Sequence, residues 1–253
     1  MAWRSSGTSN AELVANLCRN GMIKDDRVKE AFLKVDRAHY APSSPYSDSP
    51  QSIGHGATIS APHMHATAAE HLLSTLQPPP PAEGGPCRTR PTRVLDIGSG
   101  SGYLTHLLAE LLPPPSTPAG AEGGDSPAAV VGLEHIAALR EMGERNMSRS
   151  EEGRALLASG RVRFRVGDGR KGWAEPGEDE AGWDVIHVGA SAVKVHDELV
   201  QQLRSPGRMF IPVDDEDGGG GQHIWAVDKD AQGEVTRKRL FSVRYVPLTD
   251  APK

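Results

Sequence analysis

Thr92-Arg93-Val94-Leu95-Asp96-Ile97-Gly98-Ser99-Gly100-Ser101-Gly102 decides the fold of this 253-residue chain. Its first half is a short apolar run, the kind that forms a buried strand. Three glycines follow at every second position, and then Leu104, Leu107, Leu108 and Leu111 recur at helical spacing as far as Leu112. A strand, a glycine turn and a helix in that order open an α/β unit. Glycine in such a turn lets a backbone approach a ligand closely, and the helix start supplies free N–H donors. The dinucleotide spacing G-x-G-x-x-G is not met, because Tyr103 stands where the third glycine would.

Downstream the alternation continues. Ala129–Leu133 reads as a buried strand, His135 to Met147 as a helix, and Val162–Val166 as an alternating strand. Trp183–Val188 is a central strand, Val193 to Leu203 a helix, and Arg208–Val213 a strand. Strands at His223–Asp228 and Arg239–Val246 follow without helices between them, which predicts an antiparallel addition at one edge. The whole is an α/β, mostly parallel sheet with helices on both faces.

Upstream, Ser9-Asn10-Ala11-Glu12 has capping-box spacing before a first helix. Asp26 is the expected cap of a second helix carrying Val28, Ala31, Phe32 and Val35. A third helix is expected from His63 to Thr75. The chain is thus read as one domain over 1–253, with a helical segment at 1–90 and the sheet core at 91–253. Blocks rich in proline, glycine and acid at 77–86, 113–127, 175–180 and 214–221 read as loop expansions.

The strand ends carry acids. Asp96 precedes the glycines, Glu134-His135 ends the second strand, and Val166-Gly167-Asp168-Gly169 ends the third. An acid beside the loop disfavours phosphate and favours a cationic ligand. A carboxylate after the second strand can accept both hydroxyls of a ribose. Asp168 falls where an adenine amino group would lie. These three positions together fit S-adenosylmethionine, whose sulfonium and amino groups are positive.

Lys plus Arg total 28 against 33 Asp plus Glu, a net charge of −5. That argues against electrostatic binding of nucleic acid. No apolar run reaches the roughly 20 residues needed to span a bilayer, and residues 1–7 have no apolar stretch of the secretory type. Cys18 and Cys87 cannot build a disulfide framework, so a cytoplasmic location is expected.

Several stretches carry a closer likeness: Met1-Ala2-Trp3, Asp48–Gly54, Ala57-Thr58-Ile59-Ser60-Ala61-Pro62-His63-Met64-His65, Asp96–Gly102, Gly167–Arg170, Asp184–Ala190 and Tyr245–Asp250. Through them the chain resembles the protein-L-isoaspartate (D-aspartate) O-methyltransferases along nearly its whole length outside the loop blocks. The resemblance implies a Rossmann-like S-adenosylmethionine-dependent methyltransferase fold with a seven-stranded sheet. It implies methylation of isoaspartyl-containing proteins and peptides, with S-adenosyl-L-methionine as cofactor; separately, a monomer without a metal is expected. Ser60 matches the active-site serine. Ala57, Thr58, Ile59, Ser60, His65, Gly98 and Ser101 match the cofactor-contacting segments, as do Glu134 and His135 at the ribose, Asp168 and Gly169 at the adenine, and Thr249. Departures are Glu134 where Asp is familiar, His55-Gly56 before Ala57, and Asp214 where glycine is common.

Other readings of the same residues bear on function. Ser60 before Ala61-Pro62 also suits a helix cap. His63 and His65 form an H-x-H pair without further ligands for a metal. His187, inside an apolar strand, reads as a core histidine, and Asp214–Asp217 as a solvated loop. Rivals for the whole chain are a methyltransferase acting on a small molecule or nucleic acid, and a non-catalytic module that keeps the cofactor cleft. The Asn/Asp-Pro-Pro-aromatic motif of nucleic-acid amino methylation is missing.

Overall fold

Ser9 opens the first helix as the spacing predicts, in a computed structural model that describes residues 4–78, 90–114, 129–174, 182–215 and 220–250. Residues 79–86, 115–127, 175–180 and 216–219 of the expected loop blocks, together with Met1-Ala2-Trp3 and Cys87, lie outside the described residues, whereas Asp214 belongs to a strand. In α1 (Asn10–Arg19) the Ser9 hydroxyl accepts from Glu12 N–H at 3.2 Å, while Glu12 reaches back to Thr8 N–H at 2.7 Å, one residue earlier than a capping box requires. The second helix, α2 (Asp26–Lys34), is capped by Asp25 and not by the predicted Asp26. Asp25 has the extended backbone a cap needs, and its carboxylate accepts from Arg27 N–H at 2.9 Å. Asp26 is already the first helical residue.

A 3-10 turn at Arg37–His39 leads to a hairpin of β1 (Gln51–Gly54) and β2 (Ala57–Ile59), and then to α3 (Pro62–Leu76). The hairpin adds strand to a segment expected to be helical. Strands of four and three residues are too short for alternation to announce them. The sequence departure at His55-Gly56 is its two-residue turn: both residues have positive φ, as a type I′ turn demands.

The core elements are β3 (Val94–Ile97), α4 (Tyr103–Leu111), β4 (Val130–Glu134), α5 (Ala137–Met147), α6 (Glu151–Ala158), β5 (Val162–Val166), β6 (Trp183–Val188), α7 (Asp197–Gln202), β7 (Leu203–Asp214), β8 (Gln222–Lys229) and β9 (Val235–Val243). The sheet order is β5-β4-β3-β6-β7-β8-β9. Pairing is parallel from β5 to β7 and antiparallel at β8 and β9. The expected seven-stranded architecture is therefore present.

Two differences have local causes. The helix expected from Val193 is only α7, because Ser191 and Ala192 bridge to Pro247 and Val213 and Leu203 already belongs to β7. Helix α6 escapes a periodicity search because Gly153 is its one buried residue; Ser150 nevertheless caps it at 3.0 Å. Successive strand residues alternate between the two faces. Val94, Val130, Val185 and Phe210 pack with Leu72, Leu107 and Phe32, whereas Leu95, Val131, Ile186 and Met209 pack with Leu199. The parallel strands all end on one edge, above which loops can meet.

Candidate active site

Above the ends of β3 and β6 a cleft is lined by Thr58, Ile59, Ser60 and His65 on one wall. The glycine loop from Gly98 to Ser101, with Leu104, Asp96, His187, Gly189 and Tyr245, lines the other. The hairpin end and the first turn of α3 thus hang over the turn that follows β3. Ligands of open α/β sheets bind at this edge.

Asp96 is 1% exposed, and both of its oxygens are engaged. Thr105 donates to one at 2.6 Å, and His187 Nδ1 lies 2.8 Å from the other. The aspartate holds the His187 ring, which stacks on Phe210 at 6.1 Å between centroids. His187 therefore is a satisfied histidine that also lines the cleft. Its appearance there was not legible in the apolar strand that carries it.

His65 is buried, and burial, followed by the nearby Arg37 charge, holds its imidazole well below the usual histidine range. Arg37 can only donate, so His65 Nδ1, 3.4 Å from the guanidinium, is an acceptor and the proton sits on Nε2. Arg37 also donates to the Ser60 carbonyl at 2.8 Å. Burial pushes the Tyr245 phenol up to about 12, and the neighbouring Ser60 hydroxyl works against that shift. Both tyrosine and histidine are thus neutral near pH 7. Ser60 itself does not cap α3: Ala61 is the N-cap residue, and Asp48 takes the His63 N–H at 3.0 Å instead.

The remaining expected site residues fall into two groups. Thr58, Ile59, Ser60, His65, Gly98 and Ser101 come together in the cleft. Ala57 sits on β2 at its rim, paired with Gly54. Glu134 is 4% exposed and spends its carboxylate on backbone: Gly100 N–H at 3.1 Å, His135 N–H at 2.8 Å and Ile136 N–H at 3.1 Å. His135 Nδ1 lies 3.1 Å from the same carboxylate. Asp168 is gripped by Arg170 at 2.9 and 2.8 Å, which holds its carboxyl below the usual range. A side chain at Gly169 would overlap Ile97, and Leu248 lies beside it, so this glycine packs on the end of β3. Thr249 is exposed next to Leu248.

These residues suit a nucleoside bearing a positive sulfonium. The Ser99 hydroxyl in the cleft is buried without a hydrogen-bond partner among the described residues, and Gly98 and Gly100 present bare backbone at positive φ. Asp96 supplies negative charge below them, and Glu134 stands at the second strand end. No cluster of phosphate-binding cations faces the loop among the described lining residues. Arg37 and Tyr245 are additions to the expected set: Arg37 lies in a 3-10 turn outside the matched stretches, and Tyr245 opens the matched stretch after β9 without a role assigned to it.

Comparison with known proteins points to one family. The family described as Protein-L-isoaspartate(D-aspartate) O-methyltransferase matches residues 8–253. A protein-L-isoaspartate O-methyltransferase of Caenorhabditis elegans is 40% identical over 98% of this chain and 96% of its own. The wheat (Triticum aestivum) enzyme of that name is 42% identical over 95% of this chain and 91% of its own. A crystal structure from Plasmodium falciparum that bears the family's name, solved in complex with S-adenosyl-L-homocysteine, superposes with a TM-score of 0.78 at 32% identity, covering 96% of this chain and 99% of that one. With the family's profile matched from residue 8 onward, and the glycine loop and Ser60 meeting in one cleft, the chain belongs to the protein-L-isoaspartate (D-aspartate) O-methyltransferase family.

Proposed function

We infer that this chain is a protein repair enzyme. It transfers a methyl group from S-adenosyl-L-methionine to the free α-carboxylate of L-isoaspartyl residues, and to the β-carboxylate of D-aspartyl residues, in damaged proteins and peptides. The amide nitrogen of the following residue then attacks the ester carbonyl, expelling methanol and closing a succinimide without further catalysis, and hydrolysis of that ring opens the way back to normal aspartyl. The observation that carries the reading is Ser60 beside the glycine loop in a cleft built by a family-matched chain.

An α-carboxyl has an ordinary pKa of about 3.3–3.7 and is ionised at pH 7. No general base is required. S-adenosylmethionine supplies an electrophilic methyl on a sulfonium. The protein's task is to bring a carboxylate oxygen into line with that methyl, and positioning of this kind is worth several kcal/mol. Strong donors on the carboxylate would stabilise the ground state more than the transition state, where the charge is being neutralised. A single hydroxyl such as Ser60 suits that demand, with neutral His65 and Tyr245 at its sides.

We propose Ser60 as the catalytic residue. Ala57, Thr58, Ile59, Ser60, His65, Gly98, Ser101, Glu134, His135, Asp168, Gly169 and Thr249 are the cofactor-binding set. In this reading the chain is one methyltransferase domain, with 1–90 acting as a cap over the sheet core of 91–253. Supporting it, the cleft draws lining residues from both parts. No described helix is long and apolar enough to cross a membrane. We propose further a cytoplasmic location, supported by the cysteine content, and no action on nucleic acid, supported by the net charge of −5; a monomer acting on exposed, flexible damaged sites completes the reading.

Paired peptides differing only in isoaspartyl against aspartyl test the reading. Labelled methyl should pass to the isoaspartyl peptide and at most weakly to its partner, since misplacement by about 1 Å can cost on the order of a hundredfold. Equal labelling of both, or of neither, overturns it.

A further inference from the structure

Arg37 is buried completely, and among the described residues no carboxylate lies within ion-pair distance of it. Its guanidinium lies over the Tyr103 ring at 5.1 Å, donates to Ser60 O and approaches His65, and its Nε has no partner among the described residues. Asp48 acts on it only at a distance and is itself bonded to His63 at 2.8 Å. A buried cation without a counter-ion is costly. Something must repay that cost, and the residues it touches are those of the cleft.

The peptide bond between Ser60 and Ala61 transmits the charge. Arg37 holds its carbonyl, and in a trans peptide the N–H points the opposite way. The Ala61 N–H has no partner among the described residues. It stands at the start of α3, a helix of 15 residues whose positive end adds to the guanidinium charge. Ser60, on the other side of the same peptide, lines the cleft. On the far wall the opposite charge, Asp96, is paired with Thr105 and His187. The cleft is therefore polarised, positive behind Ser60 and negative below the glycine loop.

We propose that Arg37 is a positioning residue for the substrate: it is the counter-charge of the carboxylate to be methylated, acting through the Ser60–Ala61 peptide. This rests on the carboxylate-methylating reading above. Because the carboxylate charge is being neutralised in the transition state, a counter-charge favours binding of the anion over the chemical step. Its loss should appear in KM for the peptide more than in kcat.

The probe is a pair of peptides identical in sequence with one β-linked aspartyl residue, its α-carboxyl free in one and converted to carboxamide in the other. Calorimetry in the presence of S-adenosyl-L-homocysteine gives both affinities. The protein should bind the carboxylate form about tenfold more tightly, as expected where a charge is compensated in a water-poor site. Arg37→Gln should reduce that preference to about threefold or less, with carboxamide binding and S-adenosyl-L-homocysteine affinity unchanged. Arg37→Lys, which keeps the charge, should retain it.

Equal binding of the two peptides by the unaltered protein overturns the proposal, as does a folded Arg37→Gln protein that keeps the full preference. Should the Gln variant not fold, a folded Lys variant decides: loss of the preference overturns the proposal, and retention supports it. If the unaltered protein methylates neither an isoaspartyl peptide nor an aspartyl one, the substrate reading itself has failed. If methylation is normal and only the Arg37→Gln result goes the other way, the Arg37 assignment alone fails.

Discussion

Ser60 carries one hydroxyl to the cleft, and its backbone is fixed independently by Arg37. Removing the hydroxyl should leave the wall in place. Ser60→Ala is expected to lower kcat about fivefold, the worth of one hydrogen bond of roughly 1 kcal/mol, with S-adenosyl-L-homocysteine binding retained, though weakened, in calorimetry. Loss of cofactor binding in a folded variant would count against its catalytic role. Gly100 faces the opposite demand. It has φ +49, and a Cβ there would lie 3.4 Å from Ile53 of the hairpin. A β-branched residue in that conformation is strained. Gly100→Val should therefore weaken S-adenosyl-L-methionine binding about tenfold or more, since strain of about 1–3 kcal/mol falls on the ligand loop. Unchanged affinity in a folded variant would remove the loop from the cofactor site.

Among the elements, α3 matters most, because its first turn carries His63 and His65 and its approach carries Ser60. The anchor is Asp48, 2% exposed, whose carboxylate accepts from both His63 N–H and its ring nitrogen. Burial pushes this carboxyl up, but the hydrogen bonds from His63 outweigh it, and the pKa is lowered. A carboxyl depressed on folding stabilises above its unfolded pKa, near 3.9, and that stabilisation is lost as pH falls through the folded value. Asp48→Ala should cost about 1–3 kcal/mol at pH 7, read as a lower Tm, and the difference from the unaltered protein should shrink below about pH 4. A constant difference down to that pH would show that packing, and not the carboxylate, holds the turn. A second contact fixes α4 against α5. A Cβ on Gly102 would sit 2.9 Å from Gly143 O, at φ +83. Both the conformation and the space require glycine.

At the scale of the molecule, the loop blocks and the core obey different rules. The core is a sheet whose β3, β4 and β6 are buried along their whole lengths. The block at 113–127 joins α4 to β4 and carries no apolar periodicity. Closure entropy changes slowly with loop length, by about 0.6 kcal/mol per doubling. Deleting Pro114 through Ser126 should leave methyl transfer to an isoaspartyl peptide within about threefold of the intact chain, provided the shortened link can span the gap. A large loss of turnover with an unchanged far-ultraviolet spectrum would assign that block a function of its own.

Local sequence determined the central sheet and the glycine-loop side of the cleft. Strands β3, β4 and β6 are legible because burial on both faces demands continuous apolar runs. The glycine loop is legible because its backbone conformation admits few other residues. The A-T-I-S-A-P-H-M-H stretch marks Ser60 and His65 through its family likeness alone. Tertiary structure alone decided the rest. Arg37 lies 23 residues from Ser60 and reaches it only because the turn after α2 packs against the start of α3. Glu134 turns its carboxylate onto Gly100, 34 residues earlier, because parallel β3 and β4 end side by side. His187 becomes a cleft residue through its register with Asp96 on the neighbouring strand. Periodicity reports which face of an element is buried, but it carries no record of which distant polar group waits there; that pairing exists only once the elements have packed.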